Sequence, residues 1–146
     1  MTRLFAIFLI MVGSFVLGMK YGITSACADT WLVSSITSHH FDGKQHNERN
    51  LGIGLEYELK PSLRFGFGEY HNSQYRSSRY FGGAYTPWKY EFLSFGWTAG
   101  IIDGYGRKPQ YYWPMGGALI VYEHKNIGFN LLVTRGVMGL QIKGKF

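Results

Sequence analysis

Apolar and polar residues alternate along several short stretches of this chain. The clearest stretch covers residues 51–59, where Leu, Ile, Leu, Tyr and Leu alternate with Gly, Gly, Glu and Glu. Successive side chains of a β-strand point to opposite faces, so this period of two predicts a strand with one apolar face and one small or charged face. In a membrane barrel such an apolar face contacts lipid, and the other face lines the lumen.

The same alternation recurs and predicts eight strands. We expect them at residues 30–38, 50–59, 63–71, 78–87, 90–101, 114–123, 127–134 and 138–146. Charged residues such as Glu56, Arg64 and Lys143 share the face opposite to the apolar residues. Eight antiparallel strands form the smallest bacterial membrane barrels, and about nine to eleven residues cross the bilayer at a tilt. The pattern therefore predicts an all-β, eight-stranded, antiparallel up-and-down transmembrane β-barrel.

The connections between these strands fall into two classes. Short turns are predicted at residues 60–62, 87–89 and 124–126, and mostly longer, polar or glycine-rich loops at residues 39–49, 72–77, 102–113 and 135–137. Outer-membrane barrels have short periplasmic turns and longer external loops, so the second class is expected on the external side. Tyrosine and tryptophan near the strand ends suit aromatic girdles at the two interfaces.

Strand glycines suggest space inside the barrel. An eight-stranded barrel holds little besides its own side chains, so inward glycines are expected to leave a slot for one acyl chain. The glycines expected to face inward are Gly52, Gly54, Gly66, Gly68, Gly82, Gly83, Gly116 and Gly117.

The first 28 residues have the pattern of a secretory signal peptide. Arg3 precedes an apolar run over residues 4–19, and Ala26-Cys27-Ala28 has the small residues of a cleavage site. We therefore expect a cleaved signal peptide at 1–28 and a barrel at 29–146, located in the bacterial outer membrane.

Two other interpretations of this N-terminal segment are an uncleaved membrane anchor and lipidation of Cys27. Lys20 ends the apolar run short of the roughly 20 residues that span a bilayer, and Thr24 stands where lipidation motifs usually carry Leu. Cleavage after Ala28 would remove the chain's single cysteine, which leaves no disulfide or thiol chemistry.

The composition limits the partners. The net charge is +6, yet the longest basic run is Arg107-Lys108, so no Lys/Arg cluster predicts nucleic-acid binding. Scattered positive charge instead suits a surface close to anionic lipid headgroups. The expected partners are membrane lipids, both phospholipid and lipopolysaccharide, and we expect a monomer that uses no cofactor.

Polar residues that are able to carry chemistry collect in the predicted external loops. The candidate catalytic residues are His39, His40, Asn72 and Ser73, and the candidate substrate-binding residues are Asn47, Glu48, Arg49, Arg76 and Arg107. A histidine beside a serine is the pair that general-base activation of a hydroxyl requires, and guanidinium groups pair well with phosphate. The other interpretation, a solvated polar loop, remains open for each residue.

A metal site is not expected among these histidines. Zinc sites need three or four converging ligands. His39 and His40 are adjacent on an extended chain, so their side chains point to opposite faces and only one of them faces the lumen.

Several short motifs occur in a recognisable order. A histidine in the first loop precedes His46-Asn-Glu-Arg49 and a glycine-rich strand, Asn72-Ser73 follows in the second loop, and Gly96-Trp-Thr-Ala-Gly-Ile, Tyr112-Trp-Pro114 and a terminal Phe146 come later. This order resembles the lipid A palmitoyltransferases of the outer membrane, small barrel enzymes that move an acyl chain from a phospholipid to lipid A. In that family the corresponding motifs are Tyr-Asn-Glu-Arg, Asp-Ser and Gly-Phe-Thr-Ala-Gly-Val.

The resemblance implies acyl transfer at the external leaflet, with His39 or His40 as general base and Ser73 as nucleophile or oriented hydroxyl. Asn72 stands where the family has an aspartate. An amide does not take up a proton as a carboxylate does, although it can donate a hydrogen bond to a developing oxyanion.

The departure at Asn72 supports a second hypothesis, a non-enzymatic surface barrel that serves resistance or receptor masking and is encoded by a bacterium, phage or prophage. A soluble carrier of the lipocalin type is disfavoured, because it would expose apolar Leu, Phe and Trp faces to water.

Overall fold

The computed structural model describes residues 29–146, which form a closed barrel of eight antiparallel strands. The strands are β1 (Asp29–His40), β2 (Gly52–Lys60), β3 (Leu63–His71), β4 (Ser77–Tyr90), β5 (Leu93–Ile102), β6 (Trp113–His124), β7 (Ile127–Val133) and β8 (Val137–Lys145). Each strand pairs with the next one, and β8 pairs with β1 to close the sheet. The predicted eight-stranded up-and-down barrel is therefore confirmed.

The predicted signal peptide at 1–28 lies outside the described residues, and its cleavage stays a prediction. Among residues 29–146, no helix is long and apolar enough to cross a bilayer.

The apolar face of the sheet points away from the barrel axis. Ile53 is 63% exposed and Phe129 is 42% exposed, whereas Arg64 on the opposite face is 1% exposed. Other exposed outward side chains are Leu32, Tyr57, Phe67, Phe81, Tyr85, Trp97 and Ile142. So large an apolar outer surface is unusual for a soluble monomer and matches the lipid-facing band of a membrane barrel.

One of the predicted turns is wrong. Residues 87–89 lie inside β4, where the register shifts after Tyr85 so that Thr86 and Pro87 both face Gly96 of β5. Two residues opposite one make a β-bulge. A proline is tolerated there because it has no N–H to contribute to the ladder, so Pro87 marks a bulge and not the end of the strand.

Gly96 is the position against which this bulge packs most closely. A Cβ atom at Gly96 would lie 1.9 Å from the carbonyl oxygen of Tyr85 and 2.7 Å from the Cα of Thr86. We expect Gly96→Ala to lower the free energy of unfolding by about 2 kcal/mol, because the overpacked strand has to move. Gly66→Ala is the control, since the nearest atom to its new Cβ, the Leu55 carbonyl oxygen, is 3.4 Å away. Urea titrations in micelles that gave equal losses for the two variants would contradict this account.

A second bulge, in β1, decides which histidine faces the lumen. Val33 and Ser35 are buried, but the register with β8 shifts between Ser35 and Thr37. Beyond the shift the inward residues are even-numbered, so His40 contributes to the wall of the internal cavity. The His39 side chain lies on the other side and is 59% exposed.

A buried ionic cluster fills the lumen near the short turns. This ionic floor consists of Glu56, Glu58, Arg64, Glu123 and Lys143. Arg64 donates to both carboxylate oxygens of Glu123 at 2.8 and 3.0 Å and lies 3.7 Å from both Glu56 and Glu58. Lys143 Nζ contacts Glu56 at 2.6 Å and Glu123 at 2.7 Å. The predicted inward placement of Glu56, Glu58, Arg64 and Lys143 is confirmed, and each charge of the floor has a partner, as burial requires.

Candidate functional site

A cavity of about 410 Å³ occupies the lumen between the ionic floor and the external loops. Its wall includes the apolar side chains of Val33, Ile102, Leu119, Leu132 and Val137, and its outer end includes His40, Ser73, Tyr105 and Trp113. Small-molecule pockets typically measure about 300–1,000 Å³ and are mostly apolar. The cavity therefore has the size and the lining to hold one small apolar ligand.

The predicted glycine slot accounts for only part of this cavity. Gly54 and Gly68 face inward, but Tyr80 takes the space beside them, because Cβ atoms there would lie 2.4 and 2.8 Å from its hydroxyl oxygen. The prediction is wrong for Gly83 and Gly116, because the alternation along β4 and β6 places these two positions on the outer face of the sheet. The open position is Gly139 of β8, which lines the cavity and has no atom within 4 Å of a Cβ built on it.

The barrel wall is interrupted beside the cavity, between β6 and β7. The β6–β7 ladder ends with the pair Ala118 and Val133, whereas the preceding residues of β6 pair only with β5. Pro114 and Met115 on one side of this break and Thr134 on the other all line the cavity. The cavity therefore extends to an unpaired strand edge in the wall, on the external half of the barrel.

The external loops are tied together across the barrel mouth. They are loop one (residues 41–51), loop two (72–76) and loop three (103–112). Asn50 donates from Nδ2 to the His71 carbonyl at 2.9 Å, and Asn47 donates from Nδ2 to the Asn72 carbonyl at 3.0 Å. Sequence analysis predicted polar loops here but not this network.

Asn72 is fully buried and its side-chain amide is fully used. Nδ2 donates to Ser78 Oγ at 2.8 Å and to the Gly104 carbonyl at 3.0 Å. Oδ1 accepts from the backbone N–H groups of Gln74 at 2.8 Å and Arg76 at 3.0 Å. Both amide hydrogens are engaged within the protein, and Asn72 connects loop two with loop three.

The predicted histidines have different partners. His39 Nδ1 lies 3.0 Å from Glu48 Oε1 on the outer side. The His40 ring stacks on His46 with a centroid distance of 4.1 Å, and His40 Nδ1 is buried with no hydrogen-bond partner. His46 Nε2 lies 3.0 Å from both carboxylate oxygens of Asp42. This contact, together with the Lys44 backbone N–H, holds the pKa of Asp42 below its usual value.

In the part of the chain that the structure describes, no group of three or more His, Cys, Asp or Glu residues is arranged to hold a metal ion.

Ser73 and His40 line the same cavity but are not joined by a hydrogen bond. Ser73 is 8% exposed, its carbonyl accepts from the backbone N–H of Asn47 at 3.0 Å, and its hydroxyl has no partner among residues 29–146. A nucleophile and its base need a contact of about 2.6–3.2 Å, which in ligand-free enzymes often forms only when substrate binds. The two residues thus share a compartment without forming a ready-made catalytic pair.

The predicted phosphate-binding residues lie on exposed loops. Arg76 donates from Nη1 to the Gly106 carbonyl at 2.9 Å, which brings it beside Arg107 in loop three. Arg107 is exposed and has no ion pair within the described chain. Arg49 lies in loop one, where its backbone forms a bridge with Thr37.

Sequence analysis missed an ion pair that anchors loop three. Arg79 donates from Nη2 and Nε to Asp103 Oδ2 at 2.6 and 2.9 Å, and its backbone N–H donates to Oδ1 at 2.6 Å. Burial raises the pKa of Asp103, but the hydrogen bonds from Arg79 outweigh it and leave the pKa below its usual value. The pair therefore stabilises the fold at pH values above the ordinary carboxyl pKa. This stabilisation is lost as the pH falls through the lowered pKa that Asp103 has in the folded protein.

The fold resembles solved small barrels. A de novo designed transmembrane β-barrel aligns with a TM-score of 0.61 and 18% identity, over 80% of this chain and 95% of the designed one. The N-terminal β-barrel domain of Pseudomonas aeruginosa OprF aligns with a TM-score of 0.52 and 16% identity, over 80% of this chain and 97% of that domain. No protein-family model and no curated protein matches the sequence. The chain therefore has the fold of small outer-membrane-type β-barrels.

Proposed function

We propose that this protein is a bacterial outer-membrane barrel that takes one acyl chain of an outer-leaflet lipid into its lumen. The observation that carries the proposal is the break between β6 and β7, because the cavity reaches it through Pro114, Met115 and Thr134. A lipid headgroup remains at the membrane surface while its chain enters through such a break. The acyl chain then passes from the membrane into the cavity without being exposed to water.

The chemistry of the cavity supports an acyl chain as the occupant. Its side walls carry valine, leucine and isoleucine, and an apolar chain gains free energy when it leaves water or replaces poorly packed space. The ionic floor limits how deep the chain reaches, since its charges are already paired with one another and an inserted methyl group would separate them. Arg76 and Arg107, at the external rim, suit the phosphate of the same lipid.

Filling the cavity tests the proposal. Gly139→Trp places a large side chain where a Cβ atom meets nothing within 4 Å, so we expect binding of a phospholipid with a fluorescent acyl chain to weaken roughly tenfold or more. Gly136→Trp is the matched control, because Gly136 is equally open but lies in the exposed β7–β8 connection. Equal affinities of the purified wild-type protein and both variants would rule out the lumen as the binding site.

Acyl transfer from phospholipid to lipid A is a second candidate function. Its specific support is that Ser73, with an unpartnered hydroxyl, and His40 line the same cavity. In this mechanism Ser73 Oγ attacks the ester carbonyl of the bound phospholipid while a histidine takes its proton, and the histidine passes that proton to the oxygen of the departing lysophospholipid. A hydroxyl of lipid A then attacks the acyl-serine, and its proton passes through the histidine to Ser73 Oγ as the serine ester bond breaks.

Lipid mass spectrometry separates the two functions. Cells that express the folded wild-type barrel are expected to contain lipid A with one additional acyl chain, and Ser73→Ala is expected to abolish that species. Unchanged lipid A in cells with a correctly inserted wild-type barrel would exclude transfer. In that case acyl-chain binding alone, in a non-enzymatic surface barrel, would remain.

A further inference from the structure

Three histidines, His39 and His40 at the end of β1 and His46 in loop one, lie beside only two carboxylates, Asp42 and Glu48. Asp42 pairs with His46, and Glu48 pairs with His39. His40 has no carboxylate of its own, although it is the histidine that lines the cavity. A positive charge on His40 therefore has no carboxylate in hydrogen-bond contact.

The groups around His40 provide no hydrogen-bond acceptor for a proton bound at Nδ1 of its ring. Its Nδ1 is buried without a hydrogen bond, and its ring stacks at 4.1 Å on His46, which is itself held by Asp42. β8 contributes the neutral Val137 as the strand partner of His40. The adjacent β7–β8 connection carries the exposed Arg135, and Lys44 lies on loop one next to Asp42.

His40 is the last residue of β1, directly before loop one. The following residue, Phe41, donates its N–H to the Gly136 carbonyl at 3.1 Å. Backbone bonds from Ser38 to Glu48 and from Asn47 to Ser73, both at 3.0 Å, also hold loop one, as do Asn50 and the Asn47 side chain. We expect a side chain that leaves the wall at residue 40 to pull on the start of this loop and weaken the bonds of Ser38 and Asn47.

We infer that His40 is an acid-operated latch: its protonation drives the ring out of the cavity wall and releases loop one from the barrel mouth. At neutral pH the uncharged His40 ring stays stacked on His46 and keeps the loop closed. In acid a proton on His40 Nδ1 has no acceptor in the wall, because that atom is buried without a partner and Asp42 contacts His46 instead. This device concerns access from the external side and does not depend on whether the cavity binds lipid.

Amide hydrogen exchange of the barrel in micelles tests the latch. Protection factors, which remove the intrinsic pH dependence of exchange, are measured by NMR for the amides of Ser38 and Asn47. We expect them to fall roughly tenfold or more between about pH 7.5 and about pH 5. The Asp103 amide, which donates to the Arg79 carbonyl at 3.0 Å in loop three, is expected to stay protected.

Two variants assign the effect to His40. His40→Phe keeps a stacked aromatic ring but removes the charge, so its loop-one amides should stay protected in acid. His71→Phe removes an exposed histidine at the same end of the barrel and should behave as the wild-type protein. Acid loss that persisted in His40→Phe, or that vanished in His71→Phe, would overturn the inference.

The wild-type protein provides a measurement that does not depend on either variant folding. The His40 ring resonance and the protection of Asn47 should titrate with the same midpoint. Midpoints separated by more than about one pH unit would overturn the latch, as would protection that does not change with pH.

Discussion

Arg64→Met is expected to destabilise the barrel by about 3–5 kcal/mol, because it removes one partner from a set of buried charges. Arg64 is 1% exposed and binds both carboxylate oxygens of Glu123. Without its guanidinium, Lys143 is the only cation left in the ionic floor to balance three carboxylates. Urea titration in micelles measures the loss, and the fraction of folded barrel recovered from membranes should fall with it.

Two further variants show that charge, and not side-chain size, is responsible. Arg135→Met makes the same change at an exposed arginine without an ion pair in the described residues, so its effect should stay within about 0.5 kcal/mol. Adding Glu123→Gln to Arg64→Met should restore part of the stability, since the amide no longer needs a cation. If Arg64→Met cost no more than Arg135→Met, the ionic floor would not contribute to stability.

The ionic floor was predictable because a strand has a fixed period of two. Glu56 and Arg64 alternate with apolar neighbours over whole strands, and in a lipid-facing barrel that parity alone places them inside. Their pairing partners were not predictable. Glu123 lies 59 positions from Arg64 in the chain, and only the curvature and closure of the sheet bring the two together.

Bulges change the parity of a strand, and they decided two points that the alternation left open or got wrong. Apolar Ile36 gives no sign that the register of β1 shifts beside it, and this shift turns His40 into the lumen, a choice between His39 and His40 that the sequence left open. In β4, Pro87 suggested a turn because turns and bulges use the same residue. A local pattern of alternation contains no information on either shift, since both depend on the neighbouring strand.

The role of Asn72 was hidden for a different reason. Sequence comparison with an Asp-Ser motif treats position 72 as a candidate for chemistry, but its four hydrogen bonds reach Ser78, Gly104, Gln74 and Arg76. One of these partners lies in another loop, 32 positions away. No spacing rule predicts such a contact between loops.

Asn72→Asp is therefore expected to cost about 3 kcal/mol of stability, although it makes residues 72 and 73 identical to the Asp-Ser motif of the palmitoyltransferases. The carboxylate keeps the acceptor role toward Gln74 and Arg76 but loses both donors. A second oxygen then faces the Gly104 carbonyl and Ser78 Oγ, whose hydrogen already goes to the Asp103 carbonyl at 2.6 Å. A buried acceptor that loses its donor costs about 1–3 kcal/mol, and more when charge is involved. Urea titration measures the loss of stability.

Asn126→Asp is the control, because it makes the same chemical change in an exposed turn and should alter stability by less than about 0.5 kcal/mol. Loss of protection at the amide of Gly104, which donates to the Pro109 carbonyl at 2.8 Å, would place the damage at the lost contact with loop three, as expected. The opposite outcome is equally informative. A stable Asn72→Asp barrel that transferred acyl chains to lipid A faster than the wild-type protein would mean that residue 72 belongs to the catalytic machinery and that the amide, in its present place, suppresses the reaction.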